Sequence, residues 1–223
     1  MNLIGMKSIQ DFIVNEIRPF DFNSNFNDIL NIMEEEEFSH FPVVENHVYM
    51  GSIASIDIIP SATKKVDDYK YTLSPYFVRN NWGWFEVLEK FAQFDCNVIA
   101  VLDENNNYLG YYRFNDINTF FKSTPFLKDA GLTIVVQKHY LDYSISEIAQ
   151  IVESNNSKLL GIFISSMHNN IAEITVKAFS GNINEIIQTF RRFGYDIVSE
   201  HNQDIYLSEL KDRSAYLDKY LNI

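Results

Sequence analysis

The sequence contains one stretch twice, and this duplication limits most strongly how the chain can fold. In the first copy, the apolar run 41–44 is followed by a polar turn and a second apolar run, 48–53. In the second copy, the runs 99–102 and 108–112 also enclose a polar turn. Two apolar runs joined by a short polar turn are typical of a β-hairpin. The sequence therefore predicts two related hairpins, each belonging to one repeat.

A glycine and an aspartate keep a fixed spacing in both copies. Gly51 precedes Asp57 by six residues, Gly110 precedes Asp116 by six residues, and an isoleucine follows each aspartate. The two glycines are 59 residues apart, whereas the strands before the turns are 58 residues apart. The second turn is therefore one residue longer than the first.

An amphipathic helix is predicted before each hairpin. Apolar residues recur there at i, i+3, i+4 and i+7, the pattern of one helical face. Each half is therefore predicted to contain a helix, two strands and a second helix. The matching apolar positions are Phe26, Ile29, Leu30 and Met33 in the first half and Trp84, Val87, Leu88 and Phe91 in the second.

The duplicated pattern resembles the CBS motif, two copies of which form a Bateman module. The residues that carry the resemblance are the Pro42-Val43-Val44 run and the six-residue spacing from Gly to Asp in both halves. The resemblance covers roughly residues 8–122. It implies two repeats of βαββα type, at about 8–62 and 70–122, in a domain spanning residues 1–124.

The resemblance also implies a ligand. In the CBS family, paired motifs leave two clefts that commonly hold adenine nucleotides, and the motif aspartate accepts hydrogen bonds from the ribose hydroxyls. That role falls here on Asp57 and Asp116. A carboxylate only accepts hydrogen bonds and can take two vicinal hydroxyls at once. The alternative for either aspartate is a helix N-terminal residue, which the helix dipole favours there.

The position three residues after the motif glycine separates the two clefts. The family usually has serine or threonine there, in contact with phosphate, whereas this chain has Ala54 and Arg113. Alanine offers no hydrogen bond, although Ser55 is adjacent, while arginine can hold phosphate through its charge and forked donors. A surface salt bridge is the alternative role of the arginine. We expect the stronger site, for AMP, ADP or ATP, to contain Arg113 and Asp116, and the weaker one to contain Asp57 and Ser55.

A second domain is predicted over residues 125–223, after a linker that begins at Ser123-Thr124-Pro125. Predicted strands and capped helices between 131 and 200 follow the order β-α-β-β-α-β, the ferredoxin-like arrangement. This stretch resembles an ACT domain, although the Asp-x-x-Gly turn of that family reads Asp142-Tyr143-Ser144-Ile145 here, which argues against an amino-acid site at the turn. An amphipathic helix is predicted over 208–221. The predicted fold class is thus a mixture of α+β and α/β: a CBS pair, a ferredoxin-like ACT-type domain and a C-terminal helix.

Composition and motifs disfavour several function classes. A net charge of −12 disfavours nucleic acid, and no stretch approaches the ~18 apolar residues of a membrane span. Cys96 is the one cysteine, so it forms no intramolecular disulfide and is predicted to be a buried thiol. The acidic run 34–37 is interpreted as solvated, the five histidines are scattered, and no catalytic motif is found. No catalytic residue, metal site or enzymatic activity is predicted, and the lack of a signal peptide favours the cytoplasm.

The sequence therefore predicts a cytoplasmic regulatory protein. Its CBS pair senses an adenine nucleotide, and its ACT-like domain senses a second ligand or mediates assembly. Because 15% of the residues are aromatic, we expect a homodimer whose output passes to an unidentified protein partner or to the oligomer itself. The alternative is a ligand-free interaction module that uses the same folds for dimerisation.

Overall fold

The computed structural model of the chain describes residues 8–58, 65–179 and 182–199, which fall into two compact units. The units divide between Lys122 and Ser123, and each mixes helices and strands. The helix predicted over 208–221 lies outside the described residues.

The first unit contains the two predicted hairpins and the predicted helices before them. Its first half comprises a 3₁₀ turn at Ile9–Phe12, α1 (Phe26–Glu35), β1 (His40–Glu45), β2 (Val48–Ala54) and a 3₁₀ turn at Ser55–Asp57. Its second half comprises a 3₁₀ turn at Val66–Tyr69, β3 (Phe77–Arg79), α2 (Trp84–Phe94), β4 (Val98–Leu102), β5 (Tyr108–Arg113) and α3 (Phe114–Ser123).

The two hairpins match in detail. Each is antiparallel and carries one β-bulge, directly after Val43 in the first hairpin and after Val101 in the second. These valines pair with Gly51 and Gly110, whose φ angles are +143° and +149°. Since L side chains rarely adopt such backbone angles, the motif glycine is needed at the same point of both hairpins.

Each hairpin is also crossed by a segment from the other half. Val14, before the first repeat's helix, exchanges backbone hydrogen bonds of 2.9 and 3.0 Å with Tyr111 on β5. Ser74, before the second repeat's helix, exchanges bonds of 2.8 and 2.9 Å with Ser52 on β2. The two halves are therefore joined by exchanged segments and not only by contact between finished repeats.

The motif glycines make room for the crossing segments. A Cβ atom on Gly110 would lie 2.6 Å from the Val14 carbonyl oxygen and 2.6 Å from Ile13 Cγ2. A Cβ atom on Gly51 would lie 2.7 Å from Leu73 Cβ. All three distances are shorter than van der Waals contact, so each glycine is required by close approach as well as by its φ angle.

Apolar side chains fill a core beneath each hairpin. Trp84 stacks on Phe120 at 4.2 Å and meets Phe12 edge-on at 5.0 Å, so this tryptophan serves packing within the unit. Cys96 is 8% exposed, and burial raises the pKa of its thiol to about 12. The prediction of a buried thiol is confirmed.

The second unit is one four-stranded sheet with two longer helices. The elements are α4 (Pro125–Lys128), β6 (Leu132–His139), α5 (Ile145–Ser154), β7 (Lys158–His168), β8 (Ile171–Phe179), α6 (Ile183–Arg192) and β9 (Asp196–Ile197). The strand order is β7-β8-β6-β9, and every neighbouring pair is antiparallel. The apolar residues of β6 and β8 on one face form the core with α5 and α6.

Capping residues set the helix starts in this unit as the sequence predicts. The Ser144 hydroxyl accepts from the Glu147 backbone N–H, and the Asn182 side chain accepts from the Asn184 N–H. The linker predicted to begin at Ser123 is different in the structure: α3 continues through Ser123, and Pro125 begins α4. Proline is well placed there because the first helical residue needs no N–H donor.

The glycine requirement can be tested with Gly110→Ala. We expect the variant to lose about 2–5 kcal/mol of unfolding free energy, because a strained φ angle and overpacking each cost about 1–3 kcal/mol. Urea denaturation followed by tryptophan fluorescence measures the unfolding of the first unit, since both tryptophans, Trp82 and Trp84, lie in it.

Gly83→Ala is the matched control for this measurement. Gly83 has a φ angle of −85°, and its Cβ would meet only the flexible end of Glu86, at 3.2 Å. The control should lose about 1 kcal/mol or less, the cost of a poorer N-cap. Equal losses in the two variants would contradict the account of the crossing segments.

Candidate ligand-binding site

The two motif aspartates lie in different local structures. Asp116 is in the first turn of α3 and is half-buried, whereas Asp57 ends the 3₁₀ turn after β2 and is exposed. No hydrogen bond or ion pair of Asp116 is found within the described part of the chain. The predicted helix N-terminal placement is thus observed for Asp116, and its carboxylate oxygens have no protein partner there.

The starts of both motif turns are anchored in the same way. Ser39 and Asn97 are 58 residues apart and occupy matching positions before β1 and β4. The Ser39 carbonyl accepts from the Ser55 N–H at 2.8 Å, and the Asn97 carbonyl accepts from the Phe114 N–H at 2.9 Å. Ser39 and Asn97 also bind each other, through the Ser39 N–H and Asn97 Oδ1 at 2.8 Å and the Asn97 N–H and Ser39 Oγ at 3.0 Å. These bonds fix the residues that follow β2 and β5 in matching positions.

Arg113, at the end of β5, is paired with two carboxylates. Its Nη2 lies 3.0 Å from Glu16 Oε2 and 3.7 Å from Glu36 Oε2, and it donates to the Tyr111 hydroxyl at 3.3 Å. The guanidinium carbon lies 5.9 Å from the centre of the Phe38 ring. The salt bridge considered as the alternative role of Arg113 is therefore present.

Arg113 is held as a cation, and one of its buried donors is unused. Burial alone would lower its pKa, but the hydrogen bond to Tyr111 and the Glu16 carboxylate raise the pKa above its usual value. The Arg113 Nε atom is buried and finds no acceptor among the described residues. The side chain is 29% exposed, so part of it remains open to solvent.

The surroundings of Asp57 contain aromatic rings, whereas those of Arg113 contain the charge cluster. The His40 ring lies 5.1 Å from the Tyr76 ring, and Tyr76 stacks on Phe94 at 4.3 Å with an interplanar angle of 6°. Burial lowers the pKa of His40, and the nearby carboxylates of Asp57 and Asp95 partly oppose that shift. Asp57, His40 and the Tyr76–Phe94 pair therefore lie in one region.

Two further hydroxyl groups belong to this region: Ser55 is in the same 3₁₀ turn as Asp57, and Tyr49 is bonded to Tyr76. Ser55 is half-buried, and its hydroxyl makes no hydrogen bond to any other described residue. The Tyr49 hydroxyl donates to the Tyr76 carbonyl at 2.8 Å. This bond holds the backbone of Tyr76, whose ring stacks on Phe94. Burial raises the pKa of Tyr49 above its usual value, so this hydroxyl remains a donor at neutral pH.

Matching positions around Arg113 and around Asp57 hold different types of side chain. Arg113 matches Ala54 by the 59-residue offset, and Glu36 matches Phe94 by the 58-residue offset. Glu16 matches Tyr76, because each lies two residues after the point where its segment crosses the other half's hairpin. One of these two groups of side chains is therefore ionic where the other is aromatic. The sequence alone does not identify His40, Tyr76, Phe94, Glu16 or Glu36.

The second unit presents two surface features that bear on the ACT resemblance. Asp142, at the turn after β6, is exposed and lies 3.8 Å from His139 Nδ1, while Ile145 occupies the family's glycine position. Elsewhere, an open surface cavity of about 540 Å³ lies along α6. It is lined by Asn155, Asn184, Glu185, Gln188 and Arg192.

The described residues contain neither a cluster of metal-ligating side chains nor a membrane-spanning helix. No group of three or more His, Cys, Asp or Glu side chains is placed to hold a metal ion in residues 8–58, 65–179 and 182–199. All four glutamates of the acidic run 34–37 are exposed, as expected of a solvated run. None of the helices in those ranges has the length and apolar character needed to cross a membrane.

Comparisons with known proteins find similarity in solved structures alone. No family model matches the sequence, and no curated protein matches it. The similar solved structures include CBS-domain pair proteins. One is a CBS domain pair/ACT domain protein from Thermotoga maritima, with 14% identity and a TM-score of 0.46, covering 52% of this chain and 96% of that one.

Two further structures have comparable scores. The CBS domains of a transcriptional regulator from Streptococcus pneumoniae show 17% identity and a TM-score of 0.44, covering 52% of this chain and 99% of that one. The cytosolic domain of the Mg²⁺ channel MgtE, in complex with ATP, shows 17% identity and a TM-score of 0.43. This chain spans about half of that domain, 49%, while 52% of this chain is covered. The TM-scores of all three structures are below 0.5.

Proposed function

We propose that the first unit is a CBS-type pair that binds an adenine nucleotide and thereby regulates a partner. The observation that carries this proposal is the placement of Arg113 at the end of β5 and of Asp116 three residues later, in the first turn of α3. The Asp116 carboxylate has no partner among the described residues, and the side chain of Arg113 is partly open to solvent. A free carboxylate accepts from two ribose hydroxyls, and a guanidinium binds phosphate oxygens.

The two clefts should contribute unequally to binding. In the Asp57 cleft, the position that matches Arg113 is Ala54, which has neither charge nor hydrogen-bonding group. The Tyr76–Phe94 pair supplies an aromatic surface on which a planar base can stack. We therefore assign phosphorylated ligands to the Asp116 cleft and, with lower affinity, the nucleoside part alone to the Asp57 cleft, with Ser55 as an additional hydrogen-bonding group.

Regulation by such a pair works through a population shift. Each hairpin is crossed by a segment from the other half, so a ligand held by one half bears on the position of both. The ligand can shift the arrangement only by its difference in affinity for the two states. The output then passes to a separate protein partner or to the oligomer.

The second unit is proposed to be a ferredoxin-like, ACT-type domain that mediates assembly. Its element order and antiparallel sheet suit that fold. The strand β7 is eleven residues long and lies at one edge of the sheet, and Phe163, Ile164 and Met167 on it are 47%, 41% and 51% exposed. A long, apolar edge strand pairs readily with another chain. We assign β7 to contact between two copies, which forms a homodimer whether or not a nucleotide binds.

Nucleotide binding can be tested by calorimetry with adenine, adenosine, AMP, ADP and ATP. Asp116→Ala removes a charged acceptor worth roughly 1.5–3 kcal/mol, so affinity should fall about 10- to 150-fold for every ligand with a ribose and stay unchanged for adenine. Arg113→Ala should weaken the phosphorylated ligands and spare adenosine. Asp57→Ala should have a smaller effect than Asp116→Ala.

The His40 ring provides a separate readout of the Asp57 cleft. Its NMR signals should shift when adenosine occupies that cleft and change little when a nucleotide occupies the Asp116 cleft alone. Thermal denaturation of each variant controls for folding. If the wild-type chain binds none of these ligands at millimolar concentration, the proposal fails and the ligand-free interaction module takes its place.

Assembly can be tested by light scattering at micromolar concentration. The wild-type chain should give twice the 26.0 kDa mass of the monomer. Ile164→Glu places a charge on the exposed edge strand and should shift the mass toward the monomer, because a desolvated charge opposes strand pairing. A monomeric wild type would contradict the homodimer, and a dimeric Ile164→Glu variant would move the contact away from β7.

A further inference from the structure

The ion pairs of Arg113 bring together two elements distant from each other in sequence. Glu16 lies in the segment that crosses the second hairpin, two residues after Val14. Glu36 is the C-cap of α1. Both carboxylates face the same Nη2 atom, at 3.0 and 3.7 Å. Two negative charges therefore surround one positive charge at the position assigned above to phosphate binding.

The pairing is specific within the acidic run. Of the four glutamates at 34–37, Glu36 alone forms a salt bridge with Arg113 within the described ranges. Glu35 is exposed and takes part in no ion pair with another described residue. The run as a whole is therefore solvated, while one member of it is positioned on the cleft.

Carboxylate and phosphate oxygens compete for the same guanidinium donors. With both glutamates ionised, the cluster of Glu16, Glu36 and Arg113 has a net charge of −1. A phosphate that approaches Arg113 must displace these carboxylates or remain beside them, and like charges at this distance repel each other even near the protein surface. The repulsion grows with each further phosphate of the ligand.

We infer that Glu16 and Glu36 determine the specificity of the Asp116 cleft by competing with phosphate for Arg113. The cleft therefore selects a nucleoside monophosphate over a nucleoside triphosphate. This inference rests on the proposed function of the same cleft and adds the class of ligand. A phosphate that displaces the Glu16 carboxylate also breaks the ion pair between Arg113 and the crossing segment.

The test compares Glu16→Gln and Glu36→Gln with Glu35→Gln. Each substitution changes the net charge by one unit and keeps the side-chain shape, but Glu35 does not contact Arg113. Exposed ion pairs contribute about 0.2–1 kcal/mol, so we expect the first two variants to bind ATP about 2- to 5-fold more tightly than wild type. The gain should be smaller for AMP, absent for adenosine, and reduced at high salt. Calorimetry on the full chain measures all three ligands.

The possible outcomes separate this inference from the proposed function. If ATP binds, but Glu16→Gln and Glu36→Gln gain no more affinity than Glu35→Gln, the inference is overturned and the nucleotide site stands. If neither adenosine, AMP nor ATP binds any variant, the proposed function fails, and tripolyphosphate then serves as the probe. Tighter binding of tripolyphosphate by the first two variants than by wild type and Glu35→Gln supports the competition, and equal binding overturns it.

Discussion

The first unit depends on the close passage of one backbone over another at two glycines. The segments at Val14 and Leu73 cross the hairpins of the opposite halves at distances that leave no room for a side chain on Gly110 or Gly51. Each crossing also supplies a reciprocal pair of backbone hydrogen bonds. The ion pairs of Arg113 and the aromatic contacts around Tyr76 consequently each combine residues of both halves.

Buried and exposed positions of the duplicated fold have diverged to different extents. The glycines, the bulges and the bonds from Ser39 and Asn97 match in both halves, because each is required by the crossing backbone or by a strand end. The cleft surfaces carry no such requirement. They hold an ionic cluster around Arg113 in one half and stacked rings around Tyr76 in the other. The two halves therefore carry unlike groups of side chains at matching positions, and the proposed ligand selection follows from that difference.

Local patterns predict most of the elements but not the contacts that define the clefts. The hairpins, the helix caps at Ser144 and Asn182, and the buried Cys96 follow from periodicity and short spacings, which act within a few residues. The ion pair between Glu16 and Arg113 joins residues 97 positions apart, and no local pattern encodes such a pairing. The sequence leaves phosphate binding and a salt bridge open for Arg113, and only the fold places the two glutamates beside it, Glu16 on the crossing segment and Glu36 at the end of α1.

Native-state hydrogen exchange tests most directly whether the exchanged segments join the two halves into one unit. If they do, the most protected amide protons of β1 and β2 should open with the same free energy as those of β4 and β5, to within about 0.5 kcal/mol, because neither hairpin can open without releasing a segment of the other half. Two separate plateaus, with one hairpin opening well below the other, would contradict the account.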